Sequence, residues 1–578
     1  MAQSDNNKFA VTMESRWDGW CKNCKSKTQK GDLIGKEKGS GKWVHVRCPK
    51  EKKGKGVKVS ELLAGNGGGH VTEEGGDVMA TIEKKVFIPS VYQQAVFDWV
   101  IQASGNMILR AVAGSGKTTT IVKILDILPS TMRILFVAFN KNIVRELRSR
   151  VPENIRVVTI NALGFSIIRK LEDFEKIDAD KVSKIMNSFW SISKNDVQDP
   201  AVRSANRVKR NGMRRLVSLI KNTLADYNDP DILLDLINRY HIDIDELMEQ
   251  EIIERVPYVM EMNDRDLATV DFDDQIYLPV TNSRLANKFD QYDFILGDEC
   301  QDWNAANIQL ILKSLAPGGR MVAVGDEFQS LYGFRGADTQ AIPHLIDELQ
   351  ATTLPLSISY RCPRLHVKAA QKLVPSIQAA DDAIDGVLAD ISYKQMVNRA
   401  EEGDMIICRT NAPLVKPAFE IIKRGMKAVI RGANIGKELV NYIDRFQCDQ
   451  LGRLEALMAE HTEMEVARYL DKNKEMMAEN VKERYETIMA VSSECKTVED
   501  LVAKLETLFS DENVGVMLSS VHRAKGLEAQ RVFILKPETI PHPKAKTPDE
   551  KQQENNILYV ALTRSLNELY YVTSEESL

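Results

Sequence analysis

Nine short apolar runs, separated by stretches with helical periodicity, restrict this chain more than any other feature. They are MILRAV (107–112), RILFVAF (133–139), RVVTI (156–160), FILGDE (294–299), MVAVGD (321–326), MIICRT (405–410), VGVMLSSV (514–521), RVFIL (531–535) and LYYV (569–572). A strand that is apolar almost throughout has to be buried on both faces, which is the condition of a parallel sheet covered by helices. The runs fall into two groups, 107–326 and 405–572, so the pattern predicts an α/β chain with two cores. Residues 165–285 read as a helical insertion into the first core, with basic turns such as RVKRNGMRR (207–215). Residues 445–510 read as a smaller helical insertion into the second. Positions 449–512 hold 16 Asp and Glu against 8 Lys and Arg, so that insertion is acidic.

The chain before residue 86 has a different character. WCKNC (20–24) and WVHVRC (43–48) place Cys21, Cys24, His45 and Cys48 as two short-spaced pairs. Tetrahedral Zn²⁺ takes four such ligands, and a hairpin between the pairs brings them together. Trp17, Trp20 and Trp43 supply apolar bulk for a small metal-centred core. Residues 1–50 are therefore expected to form a zinc-binding module. Residues 51–85, with GKGVK, GNGGGH and EEGG, are expected to be a flexible linker. The five remaining cysteines show no spacing pattern, as in a reduced compartment. Charge is divided in the same way. Residues 1–60 have 15 Lys and Arg against 6 Asp and Glu, a local +9 on a chain of net -5. A basic head on an acidic body suits contact with a polyanion or a solvated tail. No apolar run approaches the ~18 residues that span a bilayer, and MAQSDNNKFA is too polar for a signal peptide. A membrane or secreted protein is not expected.

Two segments carry phosphate chemistry. AVAGSGKTTT (111–120) follows a strand and opens a helix. Small residues at Ala113, Gly114, Ser115 and Gly116 let backbone N–H groups surround a phosphate chain at a helix N-terminus. Lys117 then reaches the outer phosphates, and Thr118, followed by Thr119, is placed to ligate Mg²⁺. Ala111 stands where the general pattern has Gly. DECQD (298–302) ends an apolar strand and offers Asp298 for Mg²⁺ and Glu299 for activating water. Together they predict hydrolysis of a nucleoside triphosphate, with ATP and Mg²⁺ as cofactors.

GDEFQSLYGFRGAD (325–338), taken with DECQD, VHRAKGLE (521–528) and YVALTR (559–564), resembles the UvrD/Rep-like branch of superfamily 1 helicases. The resemblance covers 89–572 and implies two RecA-like motor domains, at 86–345 and 346–578, with ATP between them. It makes Gln93 of PSVYQQAV the adenine contact, Tyr360 a stacking platform for the base, and Glu528 part of the nucleotide site. It makes Gln329 the γ-phosphate sensor, and Arg361 and Arg564 the arginines that reach the γ-phosphate from the second core. Two such guanidiniums stabilise charge on the transferring phosphoryl group and tie cleft closure to ATP.

The same resemblance implies contacts to single-stranded DNA by Phe139, Asn140, Asn161, Tyr332, Phe334, Arg335 and His522, since strands are held by stacking and by a basic groove. Asn161 stands where many relatives have His. The expected activity is an ATP-dependent DNA helicase moving 3′-to-5′ and acting at single/double-strand junctions in replication, recombination or repair. Two alternatives are a translocase that remodels protein–DNA complexes without unwinding and a non-motor DNA-binding adaptor. RNA as the track also fits stacking. The acidity of the second insertion argues against phosphate contact. It is expected to be a structural cap or, like the zinc module, a docking surface for a replication or repair protein. The expected location is the cytoplasm of a bacterial or phage-infected cell, or a eukaryotic nucleus.

Overall fold

The computed structural model describes residues 87–573 except 139, 191–199, 241, 243, 245, 332–340, 472–474, 513 and 546. Before residue 87 it describes the strand segments 9–14, 19–20, 27–28, 33–37 and 43–45. The chain divides into two compact units, Met1–Val86 and Phe87–Leu578. In the first, Phe9–Glu14, Leu33–Glu37 and Trp43–His45 form an antiparallel sheet, and Gly19–Trp20 pairs with Lys27–Thr28. Cys21, Cys24 and Cys48 lie outside the described residues, and His45 falls on a strand.

The second unit contains two parallel sheets. The first is built from β1 (Met107–Ala111), β2 (Ile134–Ala138), β3 (Arg156–Thr159), β4 (Tyr292–Gly297), β5 (Leu315–Gly325) and β6 (Thr352–Leu356), in the order β6-β1-β5-β4-β2-β3. The second is built from β7 (Val387–Ser392), β8 (Met405–Cys408), β9 (Ala428–Arg431), β10 (Phe509–Ser510), β11 (Val516–Ser520), β12 (Ala529–Leu535) and β13 (Ser565–Thr573). Its order is β7-β13-β12-β8-β11-β9-β10. Successive residues of one strand feed opposite cores. Ile108, Leu135 and Val137 join one apolar cluster, while Met107, Leu109, Ala111, Ile134, Phe136 and Ala138 join the cluster on the other face. Both faces are thus dry, as near-continuous apolar strands require.

The division between the cores differs from the one expected at 345/346. β6 pairs in parallel with β1, from Thr352↔Met107 to Leu356↔Ala111, so the first sheet extends to residue 356. Its sequence, TTLPL, is only partly apolar because it is an edge strand, where Pro355 and outward-facing polar groups are tolerated. RVKRNGMRR is not a turn either. It lies inside helix Pro200–Thr223, where Gly212 permits close packing: a Cβ there would sit 2.4 Å from Ile244 Cγ2. Helices between β3 and β4, and between β9 and β10, form the two insertions. Among the described residues, the five cysteines are free, and no helix is long and apolar enough to cross a membrane.

Candidate nucleotide site between the two sheets

In a parallel sheet every strand delivers its following loop to the same edge, and neighbouring strands deliver loops that touch. β1, β5 and β4 are neighbours at the centre of the first sheet. Their carboxyl ends bring together the 112–118 loop, Asp326 with Gln329, and Asp298 with Glu299. β6, on the other side of β1, leads into Ser359, Tyr360 and Arg361.

The glycine-rich loop ends in helix α1 (Lys117–Ile124). Gly114 and Gly116 have φ of +71° and +74°, conformations glycine adopts without Cβ strain. Gly114 is also needed for space, because a Cβ would fall 2.5 Å from Arg361 Cβ. Its carbonyl accepts the Tyr360 N–H at 2.9 Å. Ser115 Oγ is buried without a hydrogen-bond partner, an orphaned polar atom inside a cradle of helix N-terminal N–H groups. Such a cradle fits a phosphate chain.

Lys117 Nζ lies 3.1 Å from Glu299 Oε1, and Thr118 Oγ1 donates to Asp298 Oδ2 at 3.1 Å. Burial pushes the Asp298 carboxyl up to about 6, with the Glu299 charge adding to it. Burial would raise Glu299 as well, but Lys117 and Lys525 outweigh it and hold the group at about 2. The Lys117 ammonium is raised above its ordinary value despite burial, because Glu299, Asp326 and Asp298 all face it. One carboxylate is thus kept ionised, while its neighbour is crowded in a way that a divalent cation relieves. The donors, Thr118 and Asp298, are oxygens, as Mg²⁺ prefers.

Gln329 Nε2 donates to Asp326 Oδ2 at 2.7 Å, and Gln301 Oε1 accepts the Asp326 N–H at 3.0 Å while its Nε2 donates to Glu299. The γ-phosphate candidate is therefore wired to the carboxylates through Asp326. Gln93 caps its own helix by accepting the Ser90 N–H at 3.0 Å, and donates to Thr120 Oγ1 at 3.0 Å. Its amide still has one N–H and one oxygen lone pair to read a base edge. The Gln93 amide and the half-exposed Tyr360 ring both border Gly116.

Arg361 Nε is 2.7 Å from Glu528 Oε2. Arg564 is fully buried and donates to Val560 O, Leu527 O and Thr563 Oγ1 at 2.9, 3.2 and 3.0 Å. Burial, then the Arg361 charge, lowers its pKa to about 10. The structure thus gathers Gln93, Lys117, Thr118, Asp298, Glu299, Gln329, Tyr360, Arg361, Glu528 and Arg564 around one cleft. Thr119 is turned away, its Oγ1 accepting from Arg150 at 3.2 Å.

Of the residues expected to meet DNA, Phe139, Tyr332, Phe334 and Arg335 lie outside the described residues. Asn140 accepts the Ile143 N–H at 3.0 Å, and Asn161 donates to Phe272 O at 3.3 Å. Burial and the nearby Arg409 charge lower the pKa of His522 to about 4. Sequence reasoning missed Tyr559, whose hydroxyl accepts the Ala113 N–H at 2.8 Å and so joins the phosphate loop to the second core. It also missed the pair between Lys525 and Asp302. Both features sit inside quoted motifs, but nothing in the motif spacing says which residues they meet.

Comparison with known proteins agrees with this geometry. The UvrD/REP helicase N-terminal domain matches residues 93–350, and the UvrD-like helicase C-terminal domain matches 515–572. F-box DNA helicase protein 1 of Schizosaccharomyces pombe is 23% identical over 514 residues, covering 80% of this chain and 55% of that protein. ATP-dependent DNA helicase PcrA of Leuconostoc citreum is 26% identical over 300 residues, covering 47% and 37%. PcrA of Staphylococcus aureus is 24% identical over 620 aligned residues, covering 82% of each. The chain thus spans about half the length, or less, of several curated relatives it matches. With two parallel sheets meeting at a phosphate loop, and with family domains matched in both halves, the chain belongs to the UvrD/REP-like helicases of superfamily 1.

Proposed function

We propose that the chain hydrolyses ATP between its two sheets and uses the cycle to move 3′-to-5′ along single-stranded DNA, separating duplex as it goes. The observation that carries this reading is the contact of the phosphate loop with residues beyond the first sheet: Gly114 against Arg361, and Ala113 against Tyr559. A triphosphate seated at the loop has to press on those contacts, which couples nucleotide binding to the angle between the sheets. In this reading Lys117 holds the outer phosphates, and Glu299, kept ionised, accepts the proton of the attacking water. Thr118 and Asp298 would hold Mg²⁺, which would supply charge neutralisation for the phosphates. Arg361 and Arg564 stabilise the transferring phosphoryl group, a role worth roughly 10³–10⁵ in rate where it has been isolated.

Further parts of the proposal concern organisation. Residues 1–50 bind Zn²⁺ through Cys21, Cys24, His45 and Cys48, and residues 51–85 link them to the motor domains. Metal analysis of the purified chain would return about one zinc per molecule, falling to none in Cys24→Ser.

The test of function is ATP-dependent strand separation on duplexes with a 3′ or a 5′ tail. Unwinding from the 3′ tail alone is the expected result. Preference for the 5′ tail overturns the direction. Single-strand-stimulated hydrolysis with no unwinding from either tail points to a translocase, and hydrolysis indifferent to DNA overturns the motor.

A further inference from the structure

Helix Pro548–Leu562, between β12 and β13 of the second core, lies against the turn Glu327–Gln329 that follows β5 of the first. Residues three apart on a helix share a face, and Gln553, Asn556 and Tyr559 all turn theirs towards this segment. Gln553 Nε2 donates to Leu331 O at 3.4 Å. Asn556 Nδ2 donates to Ser330 O at 3.1 Å and to Glu327 O at 3.4 Å. The Tyr559 ring meets Phe328 edge to face, with 6.1 Å between centroids. Backbone carbonyls on both sides of Gln329 are thus held by a helix that belongs to the other core.

Tyr559 is fully buried, and its hydroxyl reaches two further groups. It accepts the Ala113 N–H of the phosphate loop at 2.8 Å, and its own proton faces Asp326 Oδ2 at 3.5 Å. Burial, then the Asp326 charge, holds the phenol well above its ordinary pKa, so it stays a donor. Asp326 Oδ2 is also the oxygen that accepts from Gln329 Nε2, at 2.7 Å. Asp326 has no exposure to water, so losing a donor from that oxygen is costly unless another replaces it. One carboxylate oxygen therefore has a close donor, Gln329, and a second donor held at the stretched limit of a hydrogen bond. The second can close in only when the first departs.

We propose that Tyr559 is the positioning residue that releases Gln329 to a γ-phosphate: as Gln329 Nε2 leaves Asp326 for the phosphate, the Tyr559 hydroxyl closes on the vacated Oδ2. The exchange keeps the buried carboxylate bonded throughout. The same shift loosens the hydroxyl from the Ala113 N–H, which becomes free to meet the phosphate chain. A diphosphate leaves Gln329 on Asp326, so the exchange answers to the third phosphate alone. Asn556 keeps the turn in register while this happens, because it holds the carbonyls rather than the side chain. Tyr559 acts through Gln329 and not on the reacting atoms. The inference rests on the reading of the chain as an ATP hydrolase with Gln329 at the γ-phosphate.

The experiment compares the full chain as wild type, Y559F, Q329A and Y559F/Q329A. Steady-state hydrolysis of MgATP with saturating oligothymidine is measured beside binding of a fluorescent ADP and its displacement by a non-hydrolysable ATP analogue. Phenylalanine keeps the ring against Phe328 and removes only the hydroxyl. Loss of one hydrogen bond to a charged group is expected to lower kcat in Y559F by about tenfold or more, with ADP affinity near that of wild type. The preference for the triphosphate analogue over ADP falls as well. In the Q329A background the same substitution should add almost nothing, because residues that act through one another are not additive. Losses that add in full overturn the proposal, as does an unchanged kcat. Equal weakening of ADP and the triphosphate analogue also overturns it, since that marks a mere prop for the phosphate loop. Should Y559F melt early, Asn556→Ala, which frees the turn carbonyls, is run through the same cycle with Q329A, and full additivity again overturns the proposal. A wild-type chain without ATP turnover, or Q329A turning over at the wild-type rate, would instead sink the reading on which the inference rests.

Discussion

Lys525 Nζ lies 2.6 Å from Asp302 Oδ2, with the two side chains only 9% and 1% exposed. Asp302 follows β4 of the first sheet, and Lys525 follows β11 of the second, so the pair is a buried bolt between the cores. Burial lifts the Asp302 carboxyl to about 6, and Lys525 opposes that rise. Removing one partner of such a pair leaves an uncompensated buried charge, at a cost of roughly 3–5 kcal/mol. Lys525→Met is expected to lower unfolding free energy by about that amount in urea denaturation, and K525M/D302N to recover part of it. Equal stability of Lys525→Met and wild type would show that the bolt carries no load.

Lys117 is expected to be indispensable to turnover. Lys117→Met removes the donor that faces Asp298, Glu299 and Asp326. Loss of one preorganised donor to a reacting phosphate should cost at least about 10²–10³ in kcat. Phosphate release assayed beside a circular-dichroism spectrum checks this. A native spectrum with more than a tenth of wild-type turnover contradicts the site.

The buried histidines should take stability away on mild acidification, against the buried Asp298, Asp302 and Asp326, whose raised carboxyl pKa values of about 6 act in the opposite direction. His522 is lowered to about 4 from an ordinary 6.5. The unfolded chain therefore takes up its proton first, near 6.5, while the folded chain resists until about 4. The contribution is complete above 6.5 and is lost as pH falls from 6.5 towards 4, at no more than about 1.4 kcal/mol per pH unit for one group. Burial also lowers His366, His461 and His542, which act in the same direction. In denaturant titrations between pH 7.5 and 5, His522→Gln should reduce the histidine part of this slope by a measurable fraction. An identical slope in the variant would assign the effect to other groups.

The first insertion is centred on a dry ionic network. Lys181 and Lys221 both reach Asp274 at 2.8 Å, and Lys221 also reaches Asp271 at 2.7 Å. Asp274 is held below its ordinary value: burial opposes this, and the two lysines outweigh it. Asp274→Ala removes the carboxylate of buried Lys181 and leaves Asp271 to Lys221, so two buried ammonium groups share one carboxylate in place of two, and a loss of about 3–5 kcal/mol is expected from urea denaturation. A loss below about 1 kcal/mol would mean that water enters and solvates them.

The strands of both sheets, the phosphate loop and the acidic pair at the cleft were legible because they obey local rules, whereas Gln93, Gln329, Tyr360, Arg361, Glu528 and Arg564 were expected only through the family resemblance. Apolar runs such as RILFVAF gave β2, and GSGKT and DECQD each follow a strand end at the cleft. β6 was not legible as part of the first sheet, since TTLPL has neither an apolar run nor strict alternation and its place is decided by pairing with β1. RVKRNGMRR looked like a turn because glycine is a helix breaker in isolation. Only the approach of Ile244 reveals why it is tolerated. Lys525 and Asp302 are more than two hundred positions apart, and nothing short of tertiary closure tells one about the other.

The apolar cluster on one face of the first sheet runs without interruption from Ile108 and Val137 into Leu216, Val217 and Ile220 of helix Pro200–Thr223. On the second sheet, Ile406, Ile430 and Leu518 likewise share a cluster with Leu454, Met458, Ile488 and Val491 of the second insertion. Neither insertion has a seam along which it slides over its sheet, so each travels with the sheet it is welded to. Helix Pro200–Thr223, 24 residues and so about 36 Å long, is then an outrigger. A stiff helix anchored to a sheet in this way turns any rotation of that sheet into a displacement that grows with distance from the pivot.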